Sequence, residues 1–509
     1  MIGLPRLAVR VALASTAALA LMPAAHGETL RDALVQTYRT NPDLTGQRAS
    51  LRGTDEGLAI AKSGARPILN GTAGLQQDTD DLGSFRSSGR SLTVGATASL
   101  PIYSGGQVRN GIRAADARVD AGRADLRQTE GNIFTQAVSA YMDVLRDIAV
   151  VDLNAANVRV LDTNLEATRD RFQVGDLTRT DVAQSEARLA GARATLAASQ
   201  GRLTTSRETY RRVIGSWPGP LDQPPPLPPL PANPDEAEEV ALGNAPALAS
   251  IQANVEAARR EVNVARGTRL PVLSVTSSAN YVDYLNSRNL GTGVPAGTRV
   301  DDTFSSGSVG LSMRLPLYQG GLAGARVRQA QAFQQQAVEQ SVGVERAVIS
   351  SVRAAFASYR AAGETIRSSE AAVSANRLAL EGVRAEQTVG SRQILDVLNA
   401  EQELLNSQVT LVTAQRDQYV AGFALLNAMG RAEMAALNLE GGALYDPTVN
   451  YRRARRAISD WGETPVRGPE ATRTTGPTPV EPAPNAKMDY SGSEGPMPAK
   501  SSIVTGPKN

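Results

Sequence analysis

One eight-residue phrase is written twice in this chain: SLPIYSGG at 99–106 and RLPLYQGG at 314–321, so Tyr103 and Tyr318 stand 215 residues apart. The same offset carries Val174-Gly175 onto Val389-Gly390, Asp181-Val182 onto Asp396-Val397, Tyr141 onto Phe356 and Gly215 onto Gly430. Upstream, NPDL at 41–44 meets APAL at 245–248 at an offset of 204. The difference falls in a loop, shorter before Ser91 than before Gly307. The chain is a tandem duplication of a unit of roughly 200 residues, a period too long for a short-repeat solenoid. The copies span 28–217 and 235–445, joined by a linker at 218–234 whose PPPLPPLP run at 224–231 reads as stiff and extended.

The ends lie outside the duplication. Arg6 and Arg10, an apolar run from Val11 to Met22 and small residues before Glu28 read as a secretory signal over 1–27. A buried first helix is the alternative, and Pro23 weighs against it. From 446 to 509 proline, glycine, serine and charge replace periodicity, which predicts a disordered tail. With the signal removed, basic and acidic residues balance, and no surplus points to nucleic acid. The chain has no cysteine, and its only histidine, His26, lies in the signal. Disulfides, thiolate metal sites, thiol catalysis and imidazole chemistry are thereby excluded from the exported chain. No phosphate-binding glycine motif stands between a strand and a helix, and GTGVPAG at 291–297 has the wrong spacing. No cofactor is expected, and no enzymatic activity.

After the signal no apolar run is long enough for a transmembrane helix, so any bilayer crossing must be made by strands. From Ser91 to Leu100 the chain alternates: Leu92, Val94, Ala96, Ala98 and Leu100 take one face, and Ser91, Thr93, Gly95, Thr97 and Ser99 the other. The second copy repeats this, with Val309, Leu311, Met313 and Leu315 against Ser308, Gly310, Ser312 and Arg314. Partner strands are predicted at 67–77 and 270–281. A half-buried strand of a soluble sandwich alternates too. Four strands per chain, however, are too few for a sandwich or a closed barrel, so closure would need several chains.

The doubled phrase has a role in this reading. Pro101 and Pro316 are predicted to end the strands, and Gly105-Gly106 and Gly320-Gly321 to turn the backbone into helix. Tyr103 and Tyr318 would sit at the membrane interface, in contact with lipid, although ordinary strand-end aromatics would look the same. From Gly106 to Val174, and again from Gly321 to Val389, the chain is rich in Ala, Gln, Arg and Glu with almost no proline. At ~1.5 Å per residue each stretch predicts a helix of ~100 Å. The return helices keep a seven-residue seam: Val182, Leu189, Leu196, Leu203 and Tyr210, with small Ser185, Ala192, Ser199 and Ser206 three positions on. The second seam is Val397, Leu404, Leu411 and Leu425, interrupted by Gln418, over Ala400, Ser407, Ala414, Ala421 and Ala428. Large knobs over small residues predict closely packed coiled coils.

These pieces together resemble the TolC family of outer-membrane efflux and secretion channels. The resemblance runs from Glu28 to Gly430 and is most specific in LPIYSGG with LPLYQGG and in VGDLTRTDV with VGSRQILDV. It implies a mixed α and transmembrane β fold: a homotrimer whose four strands per chain close a 12-stranded barrel, continuous with a long α-helical coiled-coil tunnel across the periplasm. It also implies a passive channel in the outer membrane, exporting proteins by type I secretion, drugs, or both. The partners implied are a periplasmic adaptor, or membrane fusion protein, and an energised inner-membrane pump of ABC or RND type. The adaptor would dock at the entrance turns, Val174-Gly175 and Val389-Gly390.

By position, Thr180 and Asp181 match the family's acceptors at the periplasmic gate, Arg392 its basic partner on a neighbouring helix pair, and Asp396 a carboxylate of the narrowest ring. Two positions depart from the pattern. Gln387 replaces a tyrosine and Asn399 a second ring aspartate, which implies a looser gate and a less negative ring. Thr178-x-x-Asp181 is equally a helix capping box, and Arg392 and Asp396 equally read as solvated charges. A trimeric structural or surface coiled-coil protein without a transport role is the rival reading, and the paired hairpins weigh against one continuous rod. A periplasmic adaptor is a third, with no need for alternating strands.

Overall fold

The structure of the protein is a computed structural model describing residues 27–82, 85–287, 301–437 and 444–475, the side chains of 78–88 excepted. The expected signal, the 291–297 glycine stretch and the far tail lie outside these residues. Each copy is built as two short helices, two strands, one very long helix and one return helix. The first comprises α1 (Leu30–Thr40), α2 (Pro42–Ser63), β1 (Ile68–Leu82), β2 (Phe85–Ser104), α3 (Gln107–Gln173) and α4 (Arg179–Ile214). The second comprises α5 (Pro234–Asn244), α6 (Pro246–Gly267), β3 (Val272–Asp283), β4 (Thr303–Arg314), α7 (Leu322–Thr388) and α8 (Ile394–Ala428). The long helices have 67 residues each, which is ~100 Å at 1.5 Å per residue.

The four strands form one antiparallel sheet in the order β1-β2-β3-β4. Register brings the apolar residues to one face, because directly opposed residues share a face. Leu75 pairs with Leu92, Ala73 with Val94, Val94 in turn with Tyr281, and Leu100 with Val275, which pairs with Leu311. On that face Leu69, Leu75, Val309, Leu311 and Met313 are exposed. The other face carries Asn70, Thr72, Thr93, Thr97, Ser278 and Ser308, and there the Ser278 and Ser308 hydroxyls lie 2.8 Å apart. Among the described residues nothing pairs with the outer edges of β1 and β4.

One expectation fails at Pro101. The strand does not end there; β2 continues to Ser104, and the ladder slips between Pro101 and Tyr103, leaving Ile102 unpaired as a bulge. A proline is tolerated in a strand at such an irregularity, so Pro101 bends β2 rather than stopping it. Pro316, by contrast, lies two residues beyond Arg314, the last residue of β4. The turn into α3 then uses Gly105 and Gly106, both at positive φ. A Cβ on Gly105 would stand 2.5 Å from the Gly267 carbonyl oxygen, so α6 and the strand end approach as closely as they do only because no side chain intervenes.

The core lies midway along the long helices, where α1, α5 and the ends of α4 and α8 close around α3 and α7. Tyr141, Phe134, Leu145, Tyr210, Leu411 and Leu425 are buried there. The Tyr141 hydroxyl lies 2.8 Å from the Glu28 carbonyl and 2.7 Å from that of Asp222. The Tyr210 hydroxyl donates to Glu28 Oε1 at 2.7 Å, and the Gly219 amide donates to Glu28 Oε2 at 3.1 Å. Burial first, then the nearby acids Asp222 and Glu28 for Tyr141 and Glu28 for Tyr210, pushes both phenols upward, so they remain donors at any ordinary pH. This knot ties the start of the first copy to the start of the linker. Tyr141→Phe is expected to lower stability by about 1–3 kcal/mol, since buried acceptors lose their donor; denaturant unfolding of the purified protein measures it.

The tail corrects a second expectation. Residues 448–456 form a helix, α9 (Thr448–Arg456), instead of starting a disordered segment. It packs along α2, where Asn450 donates to Asp55 at 2.9 Å and Arg453 pairs with Glu56 at 3.2 Å, and reaches α3, where Tyr451 donates to Asp116 at 2.9 Å and Arg123 stacks on its ring. Composition alone misses a helix this short and this charged, because its stability comes from these partners and from fully buried Ala454.

Candidate pore entrance

At the end of the helices remote from the sheet, each hairpin closes in a tight turn. Val174-Gly175 and Val389-Gly390 occupy equivalent places, with the glycines at φ of 85° and 80° and the valines 80% and 78% exposed. Each turn thus leaves an apolar side chain bare. Each turn is clasped by its own ion pair, and the polarity is inverted between copies. In the first, Arg171 Nη2 is 2.6 Å from Asp176. In the second, Glu386 stands at the position equivalent to Arg171 and accepts from Arg392 Nε at 2.7 Å.

That places the expected gate residues. Asp181 closes a capping box with Thr178, accepting from its amide at 2.9 Å and its hydroxyl at 2.7 Å. These bonds hold the Asp181 carboxyl below its ordinary range. Its contribution is therefore present above the unfolded value and is lost as pH falls through the lowered one. Thr180 is exposed one residue before it. Arg392 turns to Glu386 and lies 3.9 Å from Asp396, so within one chain it meets neither Thr180 nor Asp181. Gln387 supplies the carbonyl that accepts from Gly390 in the closing turn of α7.

Links between the two hairpins are made above the tip, by Asn399 and by three residues the sequence did not single out, Arg188, Asn164 and Glu401. Asn399 accepts from Arg188 Nη2 at 2.8 Å, joining α8 to α4. Buried Glu401 accepts from Asn164 of α3 at 3.1 Å and from Arg384 of α7 at 2.9 Å. Around them Leu161, Leu165, Leu189 and Leu398 form a small separate apolar cluster. Glu401 was detectable as a lone carboxylate on the buried side of the Val397–Leu404 seam; its partners were not, because they lie on two other helices.

At the opposite end, Tyr103 and Tyr318 sit where the sheet meets the helices, 46% and 88% exposed. Gly106 and Gly321 are the N-caps of α3 and α7, both left-handed. Among the described residues no helix is long and apolar enough to cross a membrane.

A family model described as outer membrane efflux protein matches residues 33–216 and 239–431, one segment on each copy. The chain belongs to the outer membrane efflux protein family. BepC of Brucella suis, named as an outer membrane efflux protein, is 35% identical over 432 residues, covering 85% of this chain and 91% of BepC. TolC of Escherichia coli is 27% identical, covering 81% and 84%. Among solved structures, VceC of Vibrio cholerae superposes with a TM-score of 0.68 at 21% identity, covering 79% of this chain and 96% of VceC. Family membership makes the protein an outer-membrane export channel with its helical tunnel in the periplasm, and the coiled-coil stalk without transport is not favoured.

Proposed function

We propose that three copies assemble so that the β1 edge of one pairs with the β4 edge of the next, closing a 12-stranded barrel over a common helical tunnel. The observation that carries this reading is the open sheet: two bare edges and a continuous apolar face cannot persist in lipid, where every backbone group must be paired. Exposed Phe333, Val342 and Leu378 along α7 support it, since they offer apolar surface for a neighbouring hairpin. The tunnel receives cargo from an adaptor seated on the valine turns and from an ABC or RND-type inner-membrane pump. The cargo is small toxic molecules, secreted proteins, or both. The tips, with Thr180, Asp181, Arg392 and Asp396, form the gate.

Purified protein in a planar bilayer should give discrete conductance steps and run as a trimer in native detergent analysis. A monomer without steps would overturn the reading. A deletion strain assayed in parallel for drug sensitivity and for missing secreted proteins assigns the cargo.

A further inference from the structure

The tail draws an ascending and a descending path that the channel function leaves unexplained. Along α9 its partners on α2 climb toward the sheet. Asn450 meets Asp55, Arg453 meets Glu56, the Arg455 carbonyl accepts from Lys62 at 3.4 Å, and the Ala457 carbonyl accepts from Arg66 at 2.5 Å. Arg66 is two residues before Ile68, the first residue of β1. The chain then reverses: Thr464 is back beside Arg453 at 3.2 Å, and the Thr474 carbonyl accepts from Arg211 near the end of α4. The turn at 457–461 is thus the apex of the described part of the tail, tied by the Arg66 side chain to the segment that joins α2 to β1.

The apex has the chemistry of a membrane-surface contact. Ile458 is 79% and Trp461 94% exposed. Lys62 and Arg66 bond the backbone leading into the turn, Arg455 and Arg456 end α9, and Asp460 is the one carboxylate in the turn. The Lys62 ammonium is held below its ordinary value, by burial first and then by nearby Arg455, with Asp116 opposing. We propose that the apex docks on the periplasmic leaflet of the outer membrane, Trp461 and Ile458 entering the headgroup boundary and the basic cluster binding anionic glycerophospholipid. An amphipathic ring with a polar edge favours that depth, and basic residues beside it are drawn to an anionic surface. The tail then acts as a guy-line from the membrane to the middle of the helices. The inference rests on the membrane placement of the sheet and not on the gate.

The chain has two tryptophans, Trp217 and Trp461, and Trp217 lies near Arg211 at the other end of the guy-line, with the guanidinium 4.8 Å from its ring. Full-length Trp217→Phe and Trp461→Phe proteins reconstituted in phosphatidylethanolamine/phosphatidylglycerol vesicles with acyl chains brominated near the headgroup separate the two signals. Co-flotation with vesicles reports insertion of the sheet, and quenching reports the apex. Trp461 is expected to emit to the blue of its water-exposed position and to lose most of its intensity to bromine, while Trp217 is unaffected. Arg455→Ser with Arg456→Ser should bring quenching down to the level seen in purely zwitterionic vesicles. Should Trp217→Phe fold poorly, the difference spectrum between the full chain and one ending at Ala457 gives the same reading. Trp461 emission that is equal in brominated and plain lipid, in protein that floats, overturns the proposal while leaving the channel intact. Protein that does not float overturns the sheet placement and the proposal with it. Quenching that is equal in anionic and zwitterionic vesicles overturns the basic cluster's role.

Discussion

Val94→Asp should abolish most outer-membrane assembly, whereas Thr93→Asp, one residue away, should leave it nearly unchanged. Val94 lies mid-strand between Ala73 and Tyr281 on the apolar face, and is 45% exposed in the single chain. A basic residue facing lipid at the bilayer midplane costs about 2–4 kcal/mol and an acidic one somewhat less, falling toward zero at the interface. In a trimer the cost is incurred three times, which is a large fraction of a typical folding free energy. Thr93 points to the polar face and meets water. Leu311 allows a graded version of the test: it pairs with Val275, level with Leu100 near the helix end of the sheet. Leu311→Asp should therefore be damaging but less so than Val94→Asp, and Ser312→Asp should be mild. Trimer yield in isolated outer membranes ranks the four. Equal yields for Val94→Asp and Thr93→Asp would remove the assignment of lipid and lumen faces.

How much of this was legible beforehand depended on how local the determining physics was. The duplication, the alternation of Leu92 to Leu100 and the 67-residue helices follow from periodicity, a property of the chain itself, and the Thr178–Asp181 box from spacing at one helix start. Pro101 misled because a bulge is a property of a strand pair: the slip between Pro101 and Tyr103 against β3 is invisible in a single strand's residues. The same holds for α9, whose helical state depends on Asp55, Glu56 and Asp116 lying some 340 to 400 residues away. At the tip, the type of residue was readable and the partner was not. Arg392 was expected to reach another helix pair, yet inside the chain it finds Glu386 six residues back. The bonds that do cross between hairpins use Arg188, Asn164 and Glu401. Asn399, which the resemblance presented as a lost carboxylate, accepts one of them: an aspartate there would add charge to the ring but is not required for an acceptor.

That distribution of bonds sets the order of effects expected at the gate. Arg392 and Glu386 are each about half exposed, so their pair is worth roughly 0–1 kcal/mol, and Arg392→Ser should raise single-channel conductance only modestly. Glu401→Ala should raise it more. The Glu401 side chain is 6% exposed and accepts from two different helices, and hydrogen bonds to a charged group contribute about 1.5–3 kcal/mol. Arg384 is 47% exposed and can turn to water, which keeps the loss near the lower figure per chain; threefold repetition multiplies it. Glu401→Gln retains an acceptor for Asn164 and should fall between. Asp396→Asn tests a different property, because Asp396 lies 3.9 Å from Arg392 and 42% exposed, contributing little to closure. It should leave conductance similar while reducing cation preference and block by multivalent cations. Conductance histograms and reversal potentials in a salt gradient separate the two roles. Were Arg392→Ser to open the channel more than Glu401→Ala, the latch would reside in contacts between chains at the turns and not in the buried carboxylate above them; unchanged selectivity in Asp396→Asn would mean that the narrowest ring is set by other residues.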